Sequence, residues 1–147
     1  MTITAELERL ESHLNTIEEI EDIAAATDDS TARTRLAELA DRMLDQLPAV
    51  RVTTAATLLK ISRPTTYAWV GEGVLQTVDT GPSDRQLLEP RRLHRVWHLL
   101  RQVRAEGVKN SRLLDAIWFR LQDQAVLDRP DLLESLEQMR RGEGKEI

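Results

Sequence analysis

Apolar positions along this chain recur at helical intervals over most of its length. Ile3, Leu7, Leu10, Leu14 and Ile17 alternate steps of four and three. That spacing makes one apolar seam on a helix running from Thr2 or Thr4 to about Ala26. Ile20, Ile23 and Ala24 continue the seam less regularly, and Glu6, Glu8, Glu11, Glu18, Glu19 and Glu21 fill the polar side. Thr27–Asp28–Asp29–Ser30 supplies a break and a cap. Leu36, Leu39, Ala40, Met43 and Leu47 then share one face of a second helix, about 31–47, which Pro48 ends. From Val52 to Val70 the pattern predicts two short helices around a tight turn. Thr53 or Thr54 caps the first, Ala56 and Leu59 share its inner face, and Ile61 closes the turn. Ser62 caps the second, and Pro64 suits a first turn, where its missing N–H costs nothing. Trp69 and Val70 lie at core spacing from Thr66, and Gly71 and Gly73 stop the helix.

Leu75–Val78 and Arg85–Leu88 read as two short strands around the turn cluster Asp79–Asp84. Pro90 opens a helix to about Ala105, with Leu93, Val96, Trp97, Leu100 and Val103 in one stripe and Arg91, Arg95, His98 and Gln102 opposite. Gly107 breaks it. Ser111 is the expected cap of a helix over about 111–126, whose apolar face holds Leu114, Ile117, Trp118 and Leu121, with Phe119 off to one side. Arg129–Pro130–Asp131 is a turn, and a last helix, 131–141, carries Leu132, Leu133, Leu136 and Met139. The expected fold is mainly α with a small β-hairpin. Its parts are a helical hairpin over 1–48, a central domain over 49–105 and a helical segment over 106–147. The N-terminal hairpin either covers its own core or acts as a dimerisation arm. Its seam falls short of the roughly three to four heptads of a sustained coiled coil.

Composition narrows the function classes. Among 147 residues there is no cysteine, which removes disulfides, thiolate metal sites and cysteine nucleophiles and fits a reducing cytoplasm. The acidic N-terminus lacks the basic start and apolar run of a signal peptide. No stretch approaches the roughly 20 apolar residues that span a bilayer. A cytoplasmic protein with no membrane partner is expected. The six glycines form no phosphate loop, and no nucleophile elbow is present. His94 and His98 stand i, i+4, but Arg95 occupies the place where a zinc-protease helix needs Glu, and no third ligand is evident. Both histidines are expected on a solvated surface. Neither an enzyme, a metal site nor a cofactor is expected.

The net charge of −5 is unevenly distributed. Residues 1–50 hold 4 bases and 12 acids, net −8; residues 51–104 hold 9 bases and 4 acids, net +5; the remainder holds 7 bases and 9 acids, net −2. The positive part coincides with the two short helices, as phosphate binding requires. The second of them presents Arg63, Thr65 and Tyr67 near its positive N-terminal end, which suits entry into a major groove.

Helix, turn, helix, hairpin, helix is the order of a winged helix-turn-helix. Residues 51–104 resemble the DNA-binding domain of the excisionase and mercury-resistance regulator (MerR-type) families. The resemblance rests on Ile61–Ser62–Arg63–Pro64–Thr65–Thr66–Tyr67, as the start of a recognition helix, and on Gly71–Glu72–Gly73–Val74–Leu75, as the lead into a wing. It covers about a third of the chain. It implies binding of double-stranded DNA, with Lys60, Ser62, Arg63, Thr65, Thr66 and Tyr67 on the recognition side and Arg85 and Arg91 beside it. The wing departs from the family pattern, because its tip carries Asp79 and Asp84 with Arg85 as the one base. Helix-turn-helix proteins commonly bind two half-sites as symmetric dimers, so a homodimer is expected. The face formed by Leu114, Ile117, Trp118, Leu121, Leu132 and Leu136 is a candidate for binding a protein partner. A DNA-binding domain joined to such a segment is similar to bacterial antitoxins, which bind a cognate toxin and repress their own operon. The alternatives are an excisionase-type architectural factor, or a helical protein-interaction module that does not bind DNA.

Overall fold

The alternating four-and-three seam and the caps around it do produce helices. The computed structural model describes residues 2–79 and 86–127. It is mainly helical, with a small two-stranded antiparallel sheet. Helix α1 spans Ile3–Ala26 and begins where the Thr2 hydroxyl accepts the Ala5 N–H at 3.1 Å. Helix α2 spans Ser30–Asp45, and the Asp29 carboxylate accepts the N–H groups of Thr31 and Ala32. Each cap satisfies N–H groups that have no partner within a first turn.

Strand β1 (Val50–Arg51) leads directly into helix α3 (Val52–Leu59), and helix α4 follows over Arg63–Gly71. Strand β2 (Leu87–Leu88) pairs antiparallel with β1, Val50 opposite Leu88 and Arg51 opposite Leu87. Leu88 also bridges Thr77 on its other side, and the Val78 and Glu89 N–H groups donate to the carbonyls of Leu87 and Gln76. The first expected strand, Leu75–Val78, is thus a single antiparallel bridge. The expected turn tip, including Arg85, lies outside the described residues.

Helix α5 spans Pro90–Ala105, and Glu89 caps it by accepting the N–H groups of Arg91 and Arg92. A short 3-10 turn, Asn110–Arg112, precedes helix α6 (Leu113–Leu127). Ser111 lies inside that turn and does not cap α6. The expected helix over 131–141 lies outside the described residues.

The chain forms two compact units, Met1–Leu100 and Arg101–Ile147. In the first, α1 packs on α2 and on α3. Its buried core takes Leu10, Leu14 and Ile17 from α1, Ala55, Ala56, Leu58 and Leu59 from α3, and Trp69, Leu88, Leu93, Val96 and Leu100 from beyond. The expected boundary near residue 48 falls inside this unit. Leu10, Leu14 and Ile17 are consumed by the fold itself, Ile17 at 0% exposure. Along the seam and its continuation Ile3 and Ile23 are exposed and Leu7 and Ile20 half-buried, so the middle of the seam is covered within the chain and only its ends are open. A period near 3.5 marks the face that must be covered but not what covers it. The second unit buries Val103, Leu113, Ile117 and Leu121.

Candidate nucleic-acid interface and partner face

The turn between α3 and α4 is built on backbone hydrogen bonds. The Ile61 N–H donates to the Ala56 carbonyl at 3.0 Å and the Lys60 N–H to that of Thr57 at 3.2 Å. That pairing closes a helix C-terminus by placing one residue in the left-handed region. Here the residue is Lys60, at φ 57° and ψ 44°. Glycine normally fills that position, because a side chain there crowds the following carbonyl. At the far end of α4 the same pairing recurs around Gly73, at φ 84°, with Val74 and Gly73 donating to the carbonyls of Trp69 and Val70. Gly71 is helical and a Cβ on it would meet nothing, so Gly73 alone terminates α4.

The start of α4 is held by two residues acting together. The Ser62 hydroxyl accepts the Thr65 N–H at 3.1 Å and donates to the Thr65 Oγ1 at 2.8 Å. The Ser62 carbonyl accepts both the Thr66 N–H and the Thr66 hydroxyl, the latter at 2.8 Å. Thr66 is fully buried, which corrects its place among the expected DNA contacts: its hydroxyl is spent on the turn. Lys60, Ser62, Arg63 and Tyr67 are exposed and Thr65 is half-buried, so these five are brought to one end of α4. Arg63 has no hydrogen-bond or ion-pair partner among the described residues, and Tyr67 is 45% exposed.

The other cations of residues 51–104 are placed differently. Arg91 does not stand free to meet phosphate. Its Nη1 donates to Asp41 at 2.8 Å, its Nε donates to Asp45 at 3.1 Å, and its Nη2 adds the Asp41 carbonyl at 3.0 Å. Arg51 donates to Glu6 through Nε at 2.7 Å and pairs with it again through Nη2. Burial pushes the Glu6 carboxyl up, but hydrogen bonds led by Arg51 outweigh it and hold Glu6 below the ordinary carboxylate range. Arg92 donates to the carbonyls of Val74 at 2.8 Å and Gly73 at 3.2 Å, tying α5 to the segment after α4. The acidic hairpin therefore absorbs part of the positive charge that the sequence places beside α4.

The histidines depart from the solvated surface expected for them. His94 is buried, with its ring 6.1 Å from that of Trp97, and its Nε2 lies 3.5 Å from a Glu21 oxygen, too far for a hydrogen bond. Burial first, and then the charges of His98 and Arg95, lower His94 to about 4. His98 is half-buried and its Nδ1 lies 2.8 Å from Glu18. Among the described residues no group of three or more His, Cys, Asp or Glu side chains is placed to hold a metal ion. No helix among them is long and apolar enough to cross a membrane.

In the second unit, Gly107 at φ 84° closes the end of α5, with Val108 and Gly107 donating to the carbonyls of Val103 and Arg104. Arg120 bridges Gln102, at 3.3 Å, and Glu106. Of the expected partner face, Ile117 and Leu121 are buried and Leu114 is half-buried, so the first two are core positions rather than an open face. Trp118 is 37% exposed, and Phe119, which the apolar stripe left to one side, is 70% exposed. Leu132 and Leu136 lie outside the described residues. The cause is periodicity: Leu113, Ile117 and Leu121 recur every four residues and point inward together, while Trp118 and Phe119 are turned about 100° and 200° away from Ile117. No protein-family model, no curated protein and no solved structure matches the chain.

Proposed function

We propose that the protein is a sequence-specific DNA-binding regulator that uses residues 51–104 as a winged helix-turn-helix, with α4 as its recognition helix. The observation that carries the reading is the N-terminal end of α4. Ser62 and Thr65 lock its first turn, and Arg63 and Tyr67 project from it with no described partner for Arg63. An exposed arginine at the start of a helix, with no partner among the described residues, suits bidentate recognition of guanine in a major groove. Lys60 adds support. A lysine in the left-handed region where glycine is cheaper is a local cost, and such costs gather at functional sites. Selection from a random duplex library, followed by anisotropy titration of the enriched sequence, tests the reading. Arg63→Ala with Tyr67→Ala should weaken binding by about 10-fold or more while leaving the fold intact. Failure to enrich any sequence, or an unchanged affinity in the double variant, rejects it. Because carboxylates hold Arg51 and Arg91, the dependence of affinity on salt should be shallower than the nine bases of residues 51–104 would give.

A second reading adds a protein partner, as in an antitoxin. It is favoured by the exposure of two adjacent aromatics, Trp118 and Phe119, in the second unit. Tryptophan is enriched among interface residues whose truncation costs about 2 kcal/mol or more. The test is binding of the purified product of the adjacent gene to wild type and to Trp118→Ser/Phe119→Ser. Equal binding by both proteins removes this reading and leaves the DNA-binding one standing.

A further inference from the structure

A cavity of about 350 Å³ lies in the first unit between α1 and the link from α2 into β1. Leu10, Leu47 and Val50, all buried residues, form its apolar wall, together with Pro48 and Ala49. Ligand pockets commonly hold about 300–1,000 Å³, are mostly apolar and carry a few convergent polar groups, so this one sits at the small end of that range. Its polar groups are unequal in charge. Arg9 and His13 stand four residues apart on α1, a spacing that places them one above the other on the same helix face. Both are exposed, and neither has a hydrogen-bond or ion-pair partner among the described residues. The one carboxylate of the lining, Glu6, is already matched by Arg51, which holds it through both Nε and Nη2. The cavity thus offers a neutralised ion pair, an apolar wall and two basic side chains left over.

We infer that this cavity is a binding site for a small organic carboxylate with an apolar body, the carboxylate meeting Arg9 and His13 and the body lying against Leu10, Leu47 and Val50. A planar guanidinium suits a carboxylate better than any neutral donor set. The small volume and the extent of the apolar wall select a compact aromatic or branched acid over a nucleotide. A ligand seated there touches α1 on one side and the Leu47–Arg51 link on the other, so it ties the hairpin to the strand that precedes α3. Binding to the folded state alone also raises the melting temperature. The inference is independent of DNA binding, and its test contains no DNA.

The probe is phenylacetate, titrated into the full-length protein by calorimetry, with phenylacetamide and acetate as comparisons. Saturable binding with a Kd below about 1 mM and a concentration-dependent rise in melting temperature are expected for phenylacetate. Arg9→Gln/His13→Gln, at two exposed positions that glutamine suits as a helix former, should melt like wild type without ligand and bind about 10-fold or more weakly. Acetate alone, lacking the apolar body, should not bind measurably. The inference is overturned by the absence of saturable phenylacetate binding up to about 10 mM, by equal binding of phenylacetamide, or by unchanged affinity in the double variant.

Discussion

Helices α4 and α5 both place arginines in the positively charged part of the sequence, and the fold uses them in opposite ways. On α5, Arg91 is held by Asp41 and Asp45 of α2, and Arg92 by two carbonyls after α4. On α4, Arg63 is exposed and has no described partner. The same contrast separates the two regions around them. Where α1, α2 and α5 meet, apolar seam and charge are spent inside the fold; at the turn and α4, polar side chains are left facing outward. A charge balance read along the sequence counts spent and available cations alike. Only the second kind releases counterions from a nucleic acid.

The largest expected effect tests whether the seam is truly internal. Ile17 is fully buried in the isolated chain. Ile17→Ala should therefore cost about 2–5 kcal/mol in urea unfolding, independent of protein concentration. A loss that appears only at low concentration would place the seam in an interface between copies and erase the contrast between the two regions.

Next in size is the response of the spent region to pH. His94 is lowered from 6.5 to about 4, so the folded protein binds its proton less readily than the unfolded chain. Its contribution is complete above about pH 6.5 and is lost as pH falls from there towards 4. A difference of that size corresponds to roughly 3 kcal/mol. Glu21 acts in the other direction. Burial raises its carboxyl, so its proton is held more firmly in the fold and it offsets part of the loss at the acid end. His98, Glu18, Asp22 and Arg95 supply the remaining nearby charge. Unfolding free energies of wild type and His94→Leu, compared from pH 7 to pH 4, should diverge in favour of the variant as pH falls. Parallel curves would show that His94 is not held neutral.

A third comparison sets the arginines directly against each other. Arg63→Ala should leave stability within about 0.5 kcal/mol, because the side chain removed is exposed and has no partner among the described residues. If α4 reads DNA, the same change should cost about 1–3 kcal/mol of affinity for the selected duplex. Arg91→Ala should reverse the pattern. Its ion pairs are substantially exposed, so about 0–1 kcal/mol of stability is at stake, with little change in DNA affinity beyond a smaller salt slope. Equal effects of the two variants on affinity would mean that the ion pairs with Asp41 and Asp45 do not commit Arg91.

The helices of this fold were legible because their signals are local. A period of 3.6 and a capping residue act within one or two turns, which is why Ser62, the Thr27–Ser30 cluster and one of Thr2 and Thr4 could be read as helix starts. Neither Thr53 nor Thr54, however, caps α3, which begins after Arg51 with no side-chain cap. The fate of Arg91 was not legible, since its carboxylate partners lie 46 and 50 residues away. Thr66 misled for a different reason. A threonine hydroxyl can return to the carbonyl four residues back, and nothing in its identity tells that use from an outward one. His94 was misplaced because the solvated surface was drawn too wide, whereas Phe119 stands off to one side of the apolar face as its position in the stripe predicts. His94 adjoins the Leu93–Trp97 stripe closely enough to be buried with it, and Phe119 lies beyond the Leu113, Ile117, Leu121 row.

The smallest effect concerns the turn itself. Lys60 occupies the left-handed region at φ 57°, and the pairing of Ile61 with Ala56 fixes it there. For a residue with a Cβ this conformation costs about 1–2 kcal/mol, while glycine adopts it freely. Glycine also loses more freedom on folding, by roughly 0.5–1 kcal/mol. Lys60→Gly should therefore change stability only slightly, in the stabilising direction, by up to about 1 kcal/mol. Lys60→Val, with a branched Cβ in the same conformation, should destabilise. If the lysine is retained for a task at the α4 end, Lys60→Gly gains or keeps stability and loses affinity for the selected duplex at low salt. A glycine variant that is both as stable and as tightly bound as wild type would strip the left-handed lysine of its functional meaning and leave Arg63 and Tyr67 to carry the interface.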